Sequence, residues 1–121
     1  MNKEYLDKCL VVNFCTNERT ELLSDLCFKK LGFDNRIVIK SNSGFHEKFL
    51  EFAKIAVESK YEYFVRNDSD RLVFSGILEV LNIMIEDSSI DWITGVYFDY
   101  IMNRFRGGTP SVIKRNCLEY L

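Results

Sequence analysis

The sequence predicts an α/β fold in three layers: a mostly parallel sheet with helices on both faces. Three observations predict it. Short apolar runs rich in Val, Ile, Phe and Tyr alternate with longer segments whose apolar residues recur at helical spacing. Polar or glycine-bearing turns separate the pieces, and the only proline is Pro110. At 121 residues, 47% hydrophobic and 28% charged, the chain has the size and composition of one globular domain with a single real core, spanning residues 1–121.

The elements follow in order. Cys9–Thr16 (CLVVNFCT) is a buried strand. Arg19–Leu31 carries Leu22, Leu23, Leu26, Cys27 and Leu31 at helical spacing, and Gly32 ends that helix. Arg36–Lys40 (RIVIK) is a second strand, and Ser41–Gly44 is a loop. Phe45–Ser59 is an amphipathic helix. Phe45, Phe49, Phe52, Ala53, Ala56 and Val57 lie on one side, and Glu47, Lys48, Glu51 and Lys54 on the other. Tyr61–Arg66 (YEYFVR) is the third strand. Leu72–Glu86 reads as a helix that is apolar almost all round. Ile90–Tyr100 is a fourth strand in two pieces about Gly95, and Arg104–Pro110 (RFRGGTP) is a loop. The last residues, SVIKRNCLEYL, form a short strand and the start of a helix.

Composition excludes several functions. The net charge is −2 with both signs mixed along the chain, which argues against binding a nucleic-acid backbone. The first residues, MNKEYLDKCLVVNFC, do not read as a signal peptide. No window reaches the ~18 apolar residues of a membrane span. The expectation is a soluble, cytoplasmic protein. The four cysteines form no Cys-x-x-Cys, and His46 is the only histidine, so a Cys/His zinc site is not expected. The cysteines read as small core hydrophobes. No Gly-x-Gly-x-x-Gly and no P-loop motif occurs.

In open α/β sheets ligands bind beyond the carboxyl ends of the strands. Here those ends read Thr16-Asn17-Glu18, Ser41-Asn42-Ser43-Gly44 and Asn67-Asp68-Ser69-Asp70. Side by side they make one polar rim. Asp68 and Asp70 invite two readings. Carboxylates one residue apart at a strand end can share a hard divalent cation and a ribose hydroxyl. They can equally shape a turn and cap the helix at Leu72. Arg66 and Arg71 flank them, either to meet phosphate or to pair with the acids. Arg104 and Arg106 face a phosphate or solvent. His46 either contacts a base or lies on the surface. Trp92, Tyr97 and Tyr100 either pack against the core or one another, the expected reading, or offer a sugar platform. The all-apolar helix predicts a homo-oligomer associating through it.

With these motifs in order, the chain resembles the amino-terminal half of a GT-A type glycosyltransferase of family 2. The resemblance rests on VVNFCTNER (11–19), RIVIKSNSG (36–44), YFVRNDSD (63–70) and GGTPSVIKRNCLEYL (107–121). It implies a truncated GT-A, Rossmann-like nucleotide-sugar-binding fold. It also implies metal-dependent transfer from a nucleotide-diphosphate sugar. Thr16, Asn17 and Glu18 would hold the nucleobase, with Asn42 where the family usually carries an acid. Asp68 and Asp70 would be the D-x-D pair that binds ribose and the Mn²⁺ or Mg²⁺ diphosphate. Gly107, Gly108 and Arg115 would shape the donor-sugar and acceptor pocket. The family's catalytic base is a carboxylate beyond the helix that starts near Leu121, so Asp99 is the nearest candidate here. The alternative is a non-catalytic module that binds or sequesters a nucleotide or nucleotide-sugar.

Overall fold

A computed structural model describes residues 2–99 and 102–119, with only the backbone described for 96–99, 105 and 106. Tyr100 lies outside the described residues, and the Tyr97 and Asp99 side chains are among those not described. The elements are α1 (Lys3–Leu6), β1 (Cys9–Cys15), α2 (Glu21–Lys30), β2 (Arg36–Lys40), α3 (Phe45–Glu58), β3 (Tyr63–Asp68), α4 (Gly76–Glu86), β4 (Trp92–Asp99), β5 (Arg104–Lys114) and α5 (Arg115–Leu118). No described helix is long and apolar enough to cross a membrane.

The strands form one five-stranded mixed sheet in the order β2-β1-β3-β5-β4. β1 pairs in parallel with β2 and with β3. β5 runs antiparallel to both β3 and β4. Two hydrophobic clusters follow from the pleat of the central strand. Cys9 and Val11 of β1 join Phe28 of α2 and Ile77, Leu81 and Met84 of α4. Leu10, Val12 and Phe14 join Phe52, Ala53 and Ala56 of α3 and Leu118 of α5. The chain is therefore α/β, with helices against each set of β1 side chains. β1 is buried along its whole length, as its largely apolar run requires, and its one polar side chain, Asn13, accepts from Asn67.

Several expectations change. Arg104–Pro110 is strand, not loop. Its glycines and proline suggested a turn, but antiparallel pairing with β4 overrides that local signal. Gly95 does mark a break: the β4–β5 register shifts between Thr94 and Val96. A Cβ at Gly95 would meet the Pro110 carbonyl oxygen at 2.9 Å, which no side chain accommodates. The third long helix begins at Gly76, so Leu72–Phe74 precede it and Asp70 caps nothing there. α4 also uses most of its apolar surface internally. Ile77, Leu81 and Met84 are buried, Leu78, Val80 and Ile85 pack against them, and Ile83 is left 51% exposed.

Three exposed leucines lie instead on α2. Its buried residues are Ser24 and Phe28, while Leu22, Leu23 and Leu26 face outward, Leu22 at 77% exposure. The rotation is fixed by polar ties. Arg36 Nε donates to Asp25 at 2.8 Å, and Lys40 Nζ meets Glu21 at 3.2 Å, both from β2. Asn67 Nδ2 donates to Ser24 Oγ at 3.2 Å. Periodicity located the stripe but not the side that carries the core. Lys48, expected on the polar side of α3, is buried. Cys9 and Cys15 are buried and all four thiols are free. Burial pushes the Cys9 thiol up to about 12, in keeping with a packing role.

Candidate functional site

The parallel register brings the carboxyl ends of β1, β2 and β3 to one edge. Cys15 lies opposite Lys40, and Phe14 opposite Asp68. β5 runs the other way with Ser111 opposite Arg66, so Thr109, Gly108 and Gly107 arrive at the same edge from beyond it. Local bonds knit the tips. Ser69 is buried; its Oγ and N–H both donate to the Phe14 carbonyl at 3.0 Å, and Oγ also reaches Glu18 Oε2 at 3.1 Å. Thr20 Oγ1 donates to the Ser69 carbonyl at 2.6 Å. Asn67 Nδ2 donates to the Asp68 carbonyl at 2.9 Å and to Asn13 Oδ1 at 3.0 Å, which orients the start of the Asp68–Asp70 turn. Asn17 takes a positive φ of 66° at the end of β1, a conformation that Asn tolerates.

Three cavities run along this edge and share residues. The first, about 460 Å³, lies between Thr16, Asn17, Lys40, Ser41 and Asn42. The middle one, about 300 Å³, is lined by Phe14, Thr16, Glu18, Ser43, Gly44, Phe45, Lys48, Asp68 and Asp70. The third, about 620 Å³, is lined by Phe45, Phe49, Arg66, Asp68, Arg71, Trp92, Thr94, Gly107, Gly108, Thr109 and Ser111. Thr16 joins the first two, and Phe45 and Asp68 join the last two.

Charge is concentrated at the centre. Arg66 is 4% exposed. Its guanidinium lies 4.8 Å from the Phe14 ring centroid and 5.0 Å from that of Phe45. Nη1 meets Asp68 Oδ1 at 3.2 Å and Nη2 donates to the Gly108 carbonyl at 3.0 Å. Burial lowers the Arg66 pKa and Asp68 opposes that shift. Arg66 thus ties the β3 tip to the Gly107-Gly108 segment. Gly108 has φ +126°, a left-handed backbone suited to glycine. Arg71 Nη1 meets Asp70 Oδ2 at 3.1 Å. The buried Lys48 ammonium donates to Thr16 Oγ1. For Glu18, burial raises the carboxyl pKa. Hydrogen bonds from the Cys15 thiol, the Thr16 and Glu18 backbone and Ser69 outweigh burial and hold it below the usual range.

Most of the expected residues converge. Thr16, Glu18, Asp68 and Asp70 share the middle cavity, Asn17 and Asn42 the first, and Arg66, Gly107 and Gly108 the third. His46 is exposed in the first turn of α3 and lines none of these three. Arg115 lies at the opposite edge. Its neighbour Lys114 pairs with Tyr63 at the start of β3. Its guanidinium donates to the Ala56 and Val57 carbonyls at 3.1 Å and also to those of Ser59 and Tyr61. It closes the carboxyl end of α3, away from the Gly107-Gly108 cavity that it was expected to shape. Asp99 ends β4 opposite Arg104.

Sequence reasoning missed Lys48, Phe45, Phe49, Thr94, Thr109 and Ser111 as site residues, and weighed Trp92 only as the lesser of two readings. The signal available was a lysine on an otherwise apolar helical stripe and a glycine-marked break beside Trp92.

Asp68 and Asp70 each already pair with an arginine, Arg66 and Arg71. Asp68 and Asp70 line one cavity, and no group of three or more His, Cys, Asp or Glu able to hold a metal occurs among the described residues. Two carboxylates with the remaining positions left to phosphate and water suit Mg²⁺ or Mn²⁺, which dehydrate reluctantly. They do not make an all-protein cage.

No family model matches the chain, and no curated protein matches it. Among solved structures it is similar to the crystal structure of A197 from STIV. The TM-score is 0.72 at 15% identity, covering 93% of this chain and 68% of that one. The likeness concerns the fold.

Proposed function

We propose that the chain is a short GT-A-like, Rossmann-like three-layer domain of the family 2 glycosyltransferase type, binding a nucleotide-diphosphate sugar with Mn²⁺ or Mg²⁺. One observation carries the reading: Asp68 and Asp70 share a cavity with Thr16 and Glu18, so two parallel strand tips meet over one ligand-sized cleft. That is where open α/β sheets take their ligands.

The residues divide the task. Thr16, Asn17, Glu18 and Asn42 present hydroxyl, amide and carboxylate groups to the base and ribose. Asp70 is the cation ligand, and Asp68 serves the ribose and the cation. Lys48 and Arg71 bring positive charge to the diphosphate. Arg66 holds Asp68 in place and fixes the Gly108 segment beside it. A divalent cation in this position supplies charge neutralisation for a departing diphosphate. Asp99 is the proposed general base for the acceptor hydroxyl.

A second reading, a binding module without turnover, is favoured by a specific observation. Among the described residues lining the third cavity the one carboxylate is Asp68, and Arg66 already engages it. In both readings we include a homo-oligomer, associating through the outward leucines of α2 rather than through α4.

Thermal-shift screening of nucleoside diphosphates and their sugars, with and without Mn²⁺, tests the shared claim. A ligand at 100 times its dissociation constant adds about 2.7 kcal/mol of stability. A shift that needs Mn²⁺ is expected, and no shift with any nucleotide would reject both readings. Release of free sugar or transfer to an acceptor separates the enzyme from the module.

A further inference from the structure

We propose that the third cavity, about 620 Å³, is a saccharide subsite whose platform is the aromatic surface of Trp92 and Phe45. Calling its occupant the acceptor rests on the glycosyltransferase reading; the binding itself does not.

The cavity is built from one sheet face and one helix. Trp92 and Thr94 are two apart on β4 and so project from the same face. Ser111 stands opposite Thr94 on β5, their hydroxyl oxygens 3.5 Å apart. α3 supplies Phe45 and Phe49. Phe49 stacks on Trp92 with centroids 6.1 Å apart and planes 10° from parallel. It covers part of the indole and fixes its angle, yet Trp92 stays 43% exposed. Phe45 is 60% exposed, whereas Phe52 of the same helix is fully buried. Two rings left open on one cavity form a flat apolar wall beside hydroxyl groups.

That combination matches a pyranose. A sugar ring has an apolar C–H face and a rim of hydroxyls. It needs a rigid aromatic surface for the first, and donors and acceptors for the second. Thr94 and Ser111 supply both, since Ser111 Oγ donates to the Gly108 carbonyl at 2.9 Å and retains acceptor capacity. A purely apolar ligand would leave these hydroxyls and the Gly107-Gly108 backbone desolvated. The cavity, at about 620 Å³, holds more than one ring. It abuts the Asp68–Asp70 cavity through Asp68 and Phe45, so a saccharide here would lie next to a bound diphosphate.

Trp92 is the chain's only tryptophan, so its fluorescence reports this cavity directly. The protein is titrated with cellotriose, maltotriose and chitotriose. At least one is expected to change the emission saturably. Phe45→Ala should weaken that saccharide roughly tenfold through loss of the stacking surface. Thr94→Val, a near-isosteric loss of one hydroxyl, should weaken it several-fold and guards against misfolding of the first variant. No saturable change with any of the three, or an unaltered affinity in both variants, overturns the proposal. So does an emission change produced by uridine diphosphate when no saccharide produces one, which would assign the cavity to a base. A Mn²⁺-dependent thermal shift with uridine diphosphate, on the same preparation, judges the donor site separately. A nucleotide shift without a saccharide response would sink this inference alone, and the reverse would sink the donor reading alone.

Discussion

Glu18 shows how a single side chain at the rim serves both fold and site. Its carboxylate accepts from the Thr16 N–H and from Ser69 Oγ, so it joins the β1 tip to the β3 tip. Burial alone would raise its pKa, but these bonds hold it below the ordinary glutamate range. A carboxyl with a depressed folded pKa stabilises the protein above its unfolded value, and that contribution is lost as pH falls through the folded value. Glu18→Gln should therefore cost about 1 kcal/mol at neutral pH, with a difference that shrinks in acid, below the usual glutamate range. Urea unfolding of both proteins across that range measures it; a constant difference would contradict the assignment. The sequence placed Glu18 at the rim because it follows a strand. It could not show that the buried Ser69 between the two aspartates would be its partner, since that contact spans distant parts of the chain.

At the scale of elements, Arg115 carries the clearest lesson. A basic residue after a Gly-Gly segment suggested a role at the donor pocket. Because β5 runs antiparallel to β3, Arg115 falls at the far edge, where it satisfies the last carbonyls of α3 and the chain beyond it. The Ala56 oxygen also accepts from the Ser59 N–H and Oγ; the last carbonyls of a helix otherwise lack intrahelical donors, and a cation there complements the helix dipole. Arg115→Ala is expected to destabilise the fold by about 2 kcal/mol, with several carbonyls losing their donor. The Mn²⁺-dependent nucleotide shift should survive. Loss of that shift at unchanged thermal stability would return Arg115 to the site. The direction of β5 was not legible, since RFRGGTP has loop composition and becomes strand only through pairing with β4. β1, β2, β3 and α3 were legible because their apolar runs and 3.6-residue period leave one reading. α2 was legible as a helix but not in its rotation, which polar ties to Arg36, Lys40 and Asn67 decide.

The whole molecule is a small α/β domain whose polar rim was readable as three strand-end tripeptides or tetrapeptides before their neighbours were known. Its aromatic cavity was not readable, because Phe45, Phe49 and Trp92 come from two elements that meet only in the folded chain. The exposed Leu22, Leu23 and Leu26 give the domain an apolar face outside its core. We expect a dimer or larger species by light scattering at micromolar concentration, shifted toward monomer by Leu22→Lys with Leu26→Lys. A monomeric parent would contradict the association. The central claim is that Asp68 and Asp70 bring a divalent ion and a diphosphate to the meeting point of the strand tips. Calorimetric titration of a nucleoside diphosphate tests it most directly. Heat of binding is predicted with Mn²⁺, none with EDTA, and none for Asp70→Ala; equal binding by Asp70→Ala, or binding indifferent to the metal, would contradict it.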